Sequence, residues 1–299
     1  MSKLVVIAGT NASGKSGLGV ELARHYKSEI VSADSRQVFL GLDLGSGKVT
    51  PQETKGVPHH LIDVAKPNDF FSLSHYQELA YEAIDDIARR GMTPFLVGGT
   101  GLYVNAVVDG YSLSQAKPDL ILRKEIESKT HEELIEIIKE NNPAALDKLD
   151  LNNKRRLERA AEKALSDDKN DHPSEPRYDT FVIGVTWPRD ILYERIRIPL
   201  DKRLEEGMIE EVANLRANGA TDDFLYKLGL EYRYILMYLR GDFASFDDFY
   251  NKLFMEIRHL AKEQMTWFRK RKDMHWIDMS KDPFNEAVSL INDFLPAKS

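Results

Sequence analysis

The residues Gly9-Thr10-Asn11-Ala12-Ser13-Gly14-Lys15-Ser16 fit the spacing G-x-x-x-x-G-K-[ST]. The chemistry of that spacing is anion binding. Glycines at its two ends let successive backbone N–H groups turn toward a phosphate, a following helix adds the positive end of its dipole, and Lys15 brings a mobile cation. Ser16 offers a hard oxygen to a Mg²⁺ ion bridged to the same phosphates. The loop grips oxygens without identifying their owner, because a nucleotide such as ATP and an isoprenyl diphosphate present the same groups. A glycine turn that only joined strand to helix would need neither the lysine nor the hydroxyl.

Two further segments could act on whatever the loop holds. Ser32-Ala33-Asp34-Ser35-Arg36-Gln37-Val38-Phe39 places Asp34 at the carboxyl end of an expected strand. From there it could accept a proton, hold Mg²⁺, or cap the following turn. Gly98-Gly99-Thr100-Gly101-Leu102-Tyr103 is a second glycine-rich turn whose Thr100 hydroxyl could touch a reacting phosphate oxygen. Its glycines could equally serve only to let helix and strand approach closely. In Pro58-His59-His60 the two imidazoles face opposite ways on an extended segment, which argues against a joint metal site.

These groups need a scaffold, and the hydrophobic pattern predicts one. An apolar strand at Lys3–Ala8 leads into the loop, a helix over Lys15–Tyr26 carries Leu18, Leu22 and Tyr26 at helical spacing, and a strand at Ser28–Ser32 follows. Such a βαβ unit implies a parallel sheet with helices on its faces. Further expected elements are a helix at Ser74–Arg90 closed by Gly91, and strands at Pro94–Val97, Thr180–Thr186 and His275–Ile277. From Tyr111 to Arg177 the composition turns polar, with helical segments at Asp119–Ser128, His131–Asn141 and Asn153–Ser166 and a proline-broken loop at Ser166–Arg177. The expected fold is therefore an α/β, P-loop NTPase-like parallel sheet flanked by helices, built from residues 1–110 and 178–299, with an inserted helical subdomain at 111–177.

Bulk composition narrows the partners. The 299 residues are 42% hydrophobic and 30% charged, the balance of a globular protein. No apolar run reaches the roughly 20 residues of a membrane-spanning helix, so no membrane partner is expected. The initial apolar run enters the glycine loop rather than a cleavage site. There are no cysteines, which excludes disulfides, thiolate metal sites and cysteine nucleophiles and fits a cytoplasmic location. A net charge of −7 counts against a protein that coats nucleic acid, so any such contact needs local basic patches.

Taken in order and spacing, TNASGKS, SADSRQVFLGLDLGSGK, PHHLID and PFLVGGTGLY resemble the tRNA dimethylallyltransferases, also called tRNA isopentenyltransferases. The likeness continues through Asn152–Ala160, Leu204–Val212 and Leu260–Arg269 and spans nearly the whole chain. It implies transfer of a dimethylallyl group from dimethylallyl diphosphate to the exocyclic amine of the adenosine 3′-adjacent to the anticodon. By that resemblance Asp34 is the general base, Thr100 lies against the bridging oxygen, and Lys15 with the loop from Gly9 to Ser16 stabilises the departing diphosphate, assisted by Mg²⁺ at Ser16. Asp34, Ser35, Arg36, Gln37 and Thr100 would receive the extruded adenine. Arg123, Asn153, Lys154, Arg155 and Arg156 on the insertion, and Lys262, Gln264, Trp267 and Arg269 near the end, would contact the tRNA anticodon arm. A monomer is the default expectation.

The sequence also departs from the family pattern. A helical arginine near the diphosphate falls at Pro199, leaving Arg195, Arg197 and Arg203 as candidate replacements. The G-Y-[KR] motif appears as Gly229-Leu230-Glu231-Tyr232-Arg233, and K-R-Q as Lys262-Glu263-Gln264. Two rival readings share the phosphate loop: an adenylate isopentenyltransferase acting on free AMP, ADP or ATP, which needs no arm-gripping insertion, and a P-loop small-molecule kinase, which needs an arginine-rich lid.

Overall fold

Alternation along the first strand explains the layered core. In β1 (Lys3–Gly9), Leu4, Val6 and Ala8 face one hydrophobic cluster and Val5 and Ile7 face another, and all five are fully buried. A strand covered on both faces is apolar along its covered length, as this one is from Leu4 to Ala8. The computed structural model describes residues 1–113, 119–166 and 174–295. Residues 167–173 of the expected loop at Ser166–Arg177 lie outside the described residues.

After β1 come α1 (Lys15–His25), β2 (Ile30–Ser32), β3 (His59–His60), α2 (Leu73–Arg89), β4 (Phe95–Gly98) and α3 (Gly101–Val108). Then follow α4 (Leu120–Glu127), α5 (His131–Asn141), a 3₁₀ turn (Pro143–Lys148) and α6 (Lys154–Leu165). The chain continues through β5 (Asp179–Thr186), α7 (Arg189–Glu205), α8 (Met208–Ala217), α9 (Asp222–Leu228), α10 (Leu230–Arg240), α11 (Phe246–Phe268), β6 (Met274–Asp278) and α12 (Pro283–Phe294). The strands form one six-stranded parallel sheet in the order β3-β2-β4-β1-β5-β6.

β1 and β2 are consecutive in the chain but not neighbours in the sheet, because β4 lies between them. Register makes the contact close: Val31 is level with Leu96, Val6 with Leu96, and Ala33 N donates to Val97 O at 2.8 Å. Only glycine fits at position 98, since a Cβ there would sit 2.1 Å from Ala33 O.

Helices cover both faces. Leu18, Val20, Leu22 and Ala23 of α1 join Ala287 and Ile291 of α12 on one side, while Tyr76, Ala80, Ile84 and Ile87 of α2 and Phe249, Leu253 and Ile257 of α11 belong to the cluster on the other. Each fully buried aliphatic side chain contributes roughly 1.5–3 kcal/mol. Ser72 caps α2 by accepting from His75 N.

The chain divides into two compact units, one of Met1–Tyr111 with Pro176–Ser299 and one of Ser112–Glu175. The smaller unit has its own core of Ile126, Leu134, Ile138, Leu157 and Ala161. Its helices begin on side-chain caps: Asp119 for α4, a Thr130–Glu133 capping box for α5 and Asn153 for α6. Among the described residues no helix is long and apolar enough to cross a membrane.

Candidate active site

Three glycine- or aspartate-bearing turns leave the carboxyl ends of β1, β4 and β2, side by side, where ligands of parallel sheets gather. In the first, Gly14 adopts φ 83° and Ala12 φ 55°, so the chain curls around its own N–H groups before α1 begins. Lys15 folds back to donate to Thr10 O at 3.2 Å. Its Nζ lies 3.2 Å from where a side chain on Gly99 would begin, so the ammonium bridges the first turn and the second. Burial lowers the Lys15 ammonium from the ordinary lysine value, and the nearby Asp34 carboxylate opposes that shift.

Gln264, on α11, ties the same two turns together. Its Oε1 accepts from Asn11 N at 2.9 Å and its Nε2 donates to Gly99 O at 3.0 Å. The amide expected to contact RNA is thus committed to two backbone groups of the site. Trp267, one turn later, packs its indole edge on Gly101, where a Cβ would lie 2.3 Å from Cδ1. Trp267 Nε1 and Ser13 Oγ are buried and make no hydrogen bond among the described residues. Both can donate, which suits the oxygens of an anion.

Thr100 joins the second turn to the third, which Asp34 caps. Asp34 Oδ1 accepts from Arg36 N at 2.9 Å and from Gln37 N at 3.3 Å, so the carboxylate does cap its own turn, using one oxygen. Thr100 Oγ1 accepts from Ser35 N at 3.0 Å and donates to Ser35 Oγ at 3.3 Å. Tyr103 belongs to the core: it stacks on Tyr76 with centroids 3.7 Å apart, and Tyr76 OH donates to Ser32 O at 3.1 Å beneath the turn. Burial, then the nearby Asp34 charge, raises the Tyr103 phenol well above its ordinary value.

In the outer clamp on the phosphate loop, sequence reasoning missed Trp187 and left Arg195 as one of three candidates. Trp187 Nε1 donates to Ser13 O at 2.8 Å and Arg195 Nε donates to Ala12 O at 3.1 Å, with the guanidinium 4.3 Å above the indole ring. Burial lowers the Arg195 guanidinium from its usual value. Of the three candidate arginines, Arg195 alone turns to this loop. Arg197 pairs with Glu194 and Asp201, and Arg203 donates to Pro199 O and Leu44 O. Trp187 follows β5, the other neighbour of β1, whose carboxyl end borders the loop, and that neighbour relation leaves no local trace in the sequence.

The basic candidates divide by environment. Arg123 Nε donates to Glu162 Oε1 at 2.5 Å within the smaller unit, and Asn153 accepts from Arg156 N as the cap of α6. Both, expected as RNA contacts, are engaged in holding helices. Lys154 Nζ donates to Glu127 O at 3.1 Å. Arg155 and Arg156 are exposed and make no ion pair among the described residues. Lys262 on α11 and Lys270 just beyond it line an open groove of about 350 Å³ with His259, Glu263, Thr266 and Trp267, and Arg269, after the last residue of the helix, is exposed. The histidines of β3 serve the sheet edge. His60 Nε2 meets Glu29 Oε2 at 2.7 Å, and His59 Nδ1 meets Val57 O at 2.8 Å.

A family model described as IPP transferase matches residues 37–271. The chain is 40% identical over 296 residues to a tRNA dimethylallyltransferase 2 from Shewanella sediminis, covering 97% of this chain and 98% of that one. Its structure is similar to that of the full-length tRNA isopentenylpyrophosphate transferase from Bacillus halodurans, at TM-score 0.73 and 37% identity over 98% and 95% of the two chains. It also shares its fold with a eukaryotic dimethylallyltransferase acting on tRNA, at TM-score 0.83 and 24% identity, covering 100% of this chain and 81% of that one.

Proposed function

We propose prenyl transfer to tRNA as the reaction of this chain, which belongs to the IPP transferase family, the tRNA dimethylallyltransferases. The donor is dimethylallyl diphosphate and the acceptor is the exocyclic amine of the adenosine 3′-adjacent to the anticodon. The observation that carries the reading is the juxtaposition of Lys15 and Asp34 across the Gly98–Gly101 turn, a buried ammonium and a carboxylate near enough to offset part of the burial cost of its charge.

In this reading the phosphate loop, Lys15 and Arg195 hold the diphosphate. The amine nitrogen attacks the first prenyl carbon, the carbon–oxygen bond breaks with its electron pair going to the diphosphate, and the amine proton passes to Asp34. Charge growing on the leaving oxygens is met by donors already in place, which is often the largest catalytic contribution. Thr100, held by Ser35, fixes the spacing between donor and acceptor turns. Ser16, in the first turn of α1 beside Lys15, offers one oxygen. That suits Mg²⁺, which keeps most of its waters and binds chiefly through substrate phosphates, and which would neutralise diphosphate charge when bound. Arg155, Arg156, Lys154, Lys262 and Arg269 supply backbone contacts to the anticodon arm. The protein acts as a cytoplasmic monomer.

The test is to incubate purified protein with dimethylallyl diphosphate and Mg²⁺, offering either unmodified tRNA with adenosine 3′ of the anticodon or free AMP. Prenylated tRNA is the expected product. Transfer to AMP alone would overturn the acceptor and favour an adenylate isopentenyltransferase.

A further inference from the structure

The segment after the Asp34 turn is held by a side chain whose hydrogen bonds among the described residues go to that segment and to Tyr232 and not to the phosphate loop. Glu211, on α8, accepts four hydrogen bonds: Oε2 from Asp43 N at 3.1 Å and Leu44 N at 2.6 Å, and Oε1 from Gly45 N at 3.0 Å and Tyr232 OH at 3.0 Å. Three successive backbone N–H groups converging on one carboxylate form an anion nest, filled here by the protein itself. The nest also needs glycine at 45, since a Cβ there would lie 2.5 Å from the Tyr232 ring. Arg203 Nη1 holds the opposite side of the segment through Leu44 O at 3.1 Å.

From the nest a short path leads to the reaction centre. Gln37 Nε2 donates to Gly47 O at 3.2 Å, and Gln37 N donates to Asp34 Oδ1. The segment is pinned again by Lys48, whose buried ammonium meets Phe39 O at 3.0 Å and the carboxylates of Asp43 and Asp63. The donor turns are fixed separately, by Gln264, Trp187 and Arg195.

We propose that Glu211 is a positioning residue for the acceptor half of the site: by filling the nest at Asp43–Gly45 it fixes, through Gly47 and Gln37, the turn that carries Asp34. This rests on the prenyl-transfer reading for its kinetic consequence, not for its structural one. Misplacing a reacting group by about 1 Å can cost on the order of 100-fold in rate.

Glu211→Gln tests it in the full chain, because glutamine keeps the shape while turning one acceptor into an NH₂ group that faces N–H donors. Glu210→Gln, an exposed neighbour on the same helix, controls for the lost charge. The expected result is a fall of about 10- to 100-fold in kcat/KM for tRNA in Glu211→Gln, with KM for dimethylallyl diphosphate and Kd for inorganic diphosphate within about twofold of the parent. Glu210→Gln should match the parent. Amide hydrogen exchange gives a readout independent of turnover: Ser35–Gln37 and Asp43–Gly45 should exchange faster in Glu211→Gln, while the amides of Gly9–Ser16 do not. Donor and acceptor parameters falling together, parental kinetics, or faster exchange confined to Asp43–Gly45 would each overturn the proposal. A parent that prenylates no tRNA would sink the functional reading and leave the exchange result to decide the coupling.

Discussion

Polar groups at the strand tips are spent on one another, whereas those along the exposed side of α6 are left to water. Asp34, Thr100, Ser35, Gln264, Trp187 and Arg195 all hold backbone or each other, so three turns from different parts of the chain keep one geometry. Arg155 and Arg156 hold nothing among the described residues. The difference follows from the tasks. Bond making needs atoms preset to a fraction of an ångström, while contacts with an RNA backbone need mobile charge that exchanges counterions for phosphate.

Substitutions can break this contrast, and the largest effect belongs at the tips. Asp34→Ala should lower kcat by about 10²- to 10⁴-fold with little change in tRNA affinity, by removing the proton acceptor. Unchanged turnover in a single-turnover assay would mean that another group takes the proton. Arg195→Ala should weaken inorganic diphosphate binding by about 10-fold, the loss of one charge-assisted contact, as measured by calorimetry. If Arg197→Ala weakens it as much, the clamp on Ala12 O is not the reason.

On the solvated side the effects shrink and change kind. Arg155→Ala should weaken tRNA about three- to tenfold and reduce the slope of log affinity against log salt by about 1, with kcat preserved. Arg123→Ala sharpens the comparison, because its guanidinium is tied to Glu162. It should cost about 1 kcal/mol of stability in urea denaturation without altering the salt slope. A changed slope would return Arg123 to the RNA face.

The effect furthest from the chemistry lies at the sheet edge. Hydrogen bonding from Arg90, then from His60, holds the Glu29 carboxyl at about 2 against an ordinary 4.5. A carboxylate with a depressed folded-state value stabilises the protein above its unfolded value and loses that contribution as the pH falls from about 4.5 to 2. Arg90→Ala should raise the Glu29 titration toward 4.5 in an NMR experiment and flatten the acid side of the stability profile.

Much of this was legible in the order of residues. The phosphate loop announces itself because its function needs particular residue types at fixed local spacing, and β1 reads as a doubly covered strand because Leu4 to Ala8 form an unbroken apolar run. One helix kept its expected bounds: α5 runs from His131 to Asn141, and it starts on the Thr130–Glu133 box. Asn153 shows the limit, since the same residue type serves as a cap or as an RNA contact, and here it caps.

What local pattern determined, then, was the parallel α/β class, the anion loop and the identity of the segments that carry Asp34 and Thr100. Tertiary structure alone decided that β4 separates β1 from β2, which puts the Thr100 turn between the cation and the carboxylate. It alone brought Trp187, Arg195, Glu211 and Gln264 to backbone groups more than a hundred residues away. The physical reason is that hydrophobic periodicity specifies which face of an element is buried but not which element lies beside it. Long-range hydrogen bonds leave no periodic trace in the chain.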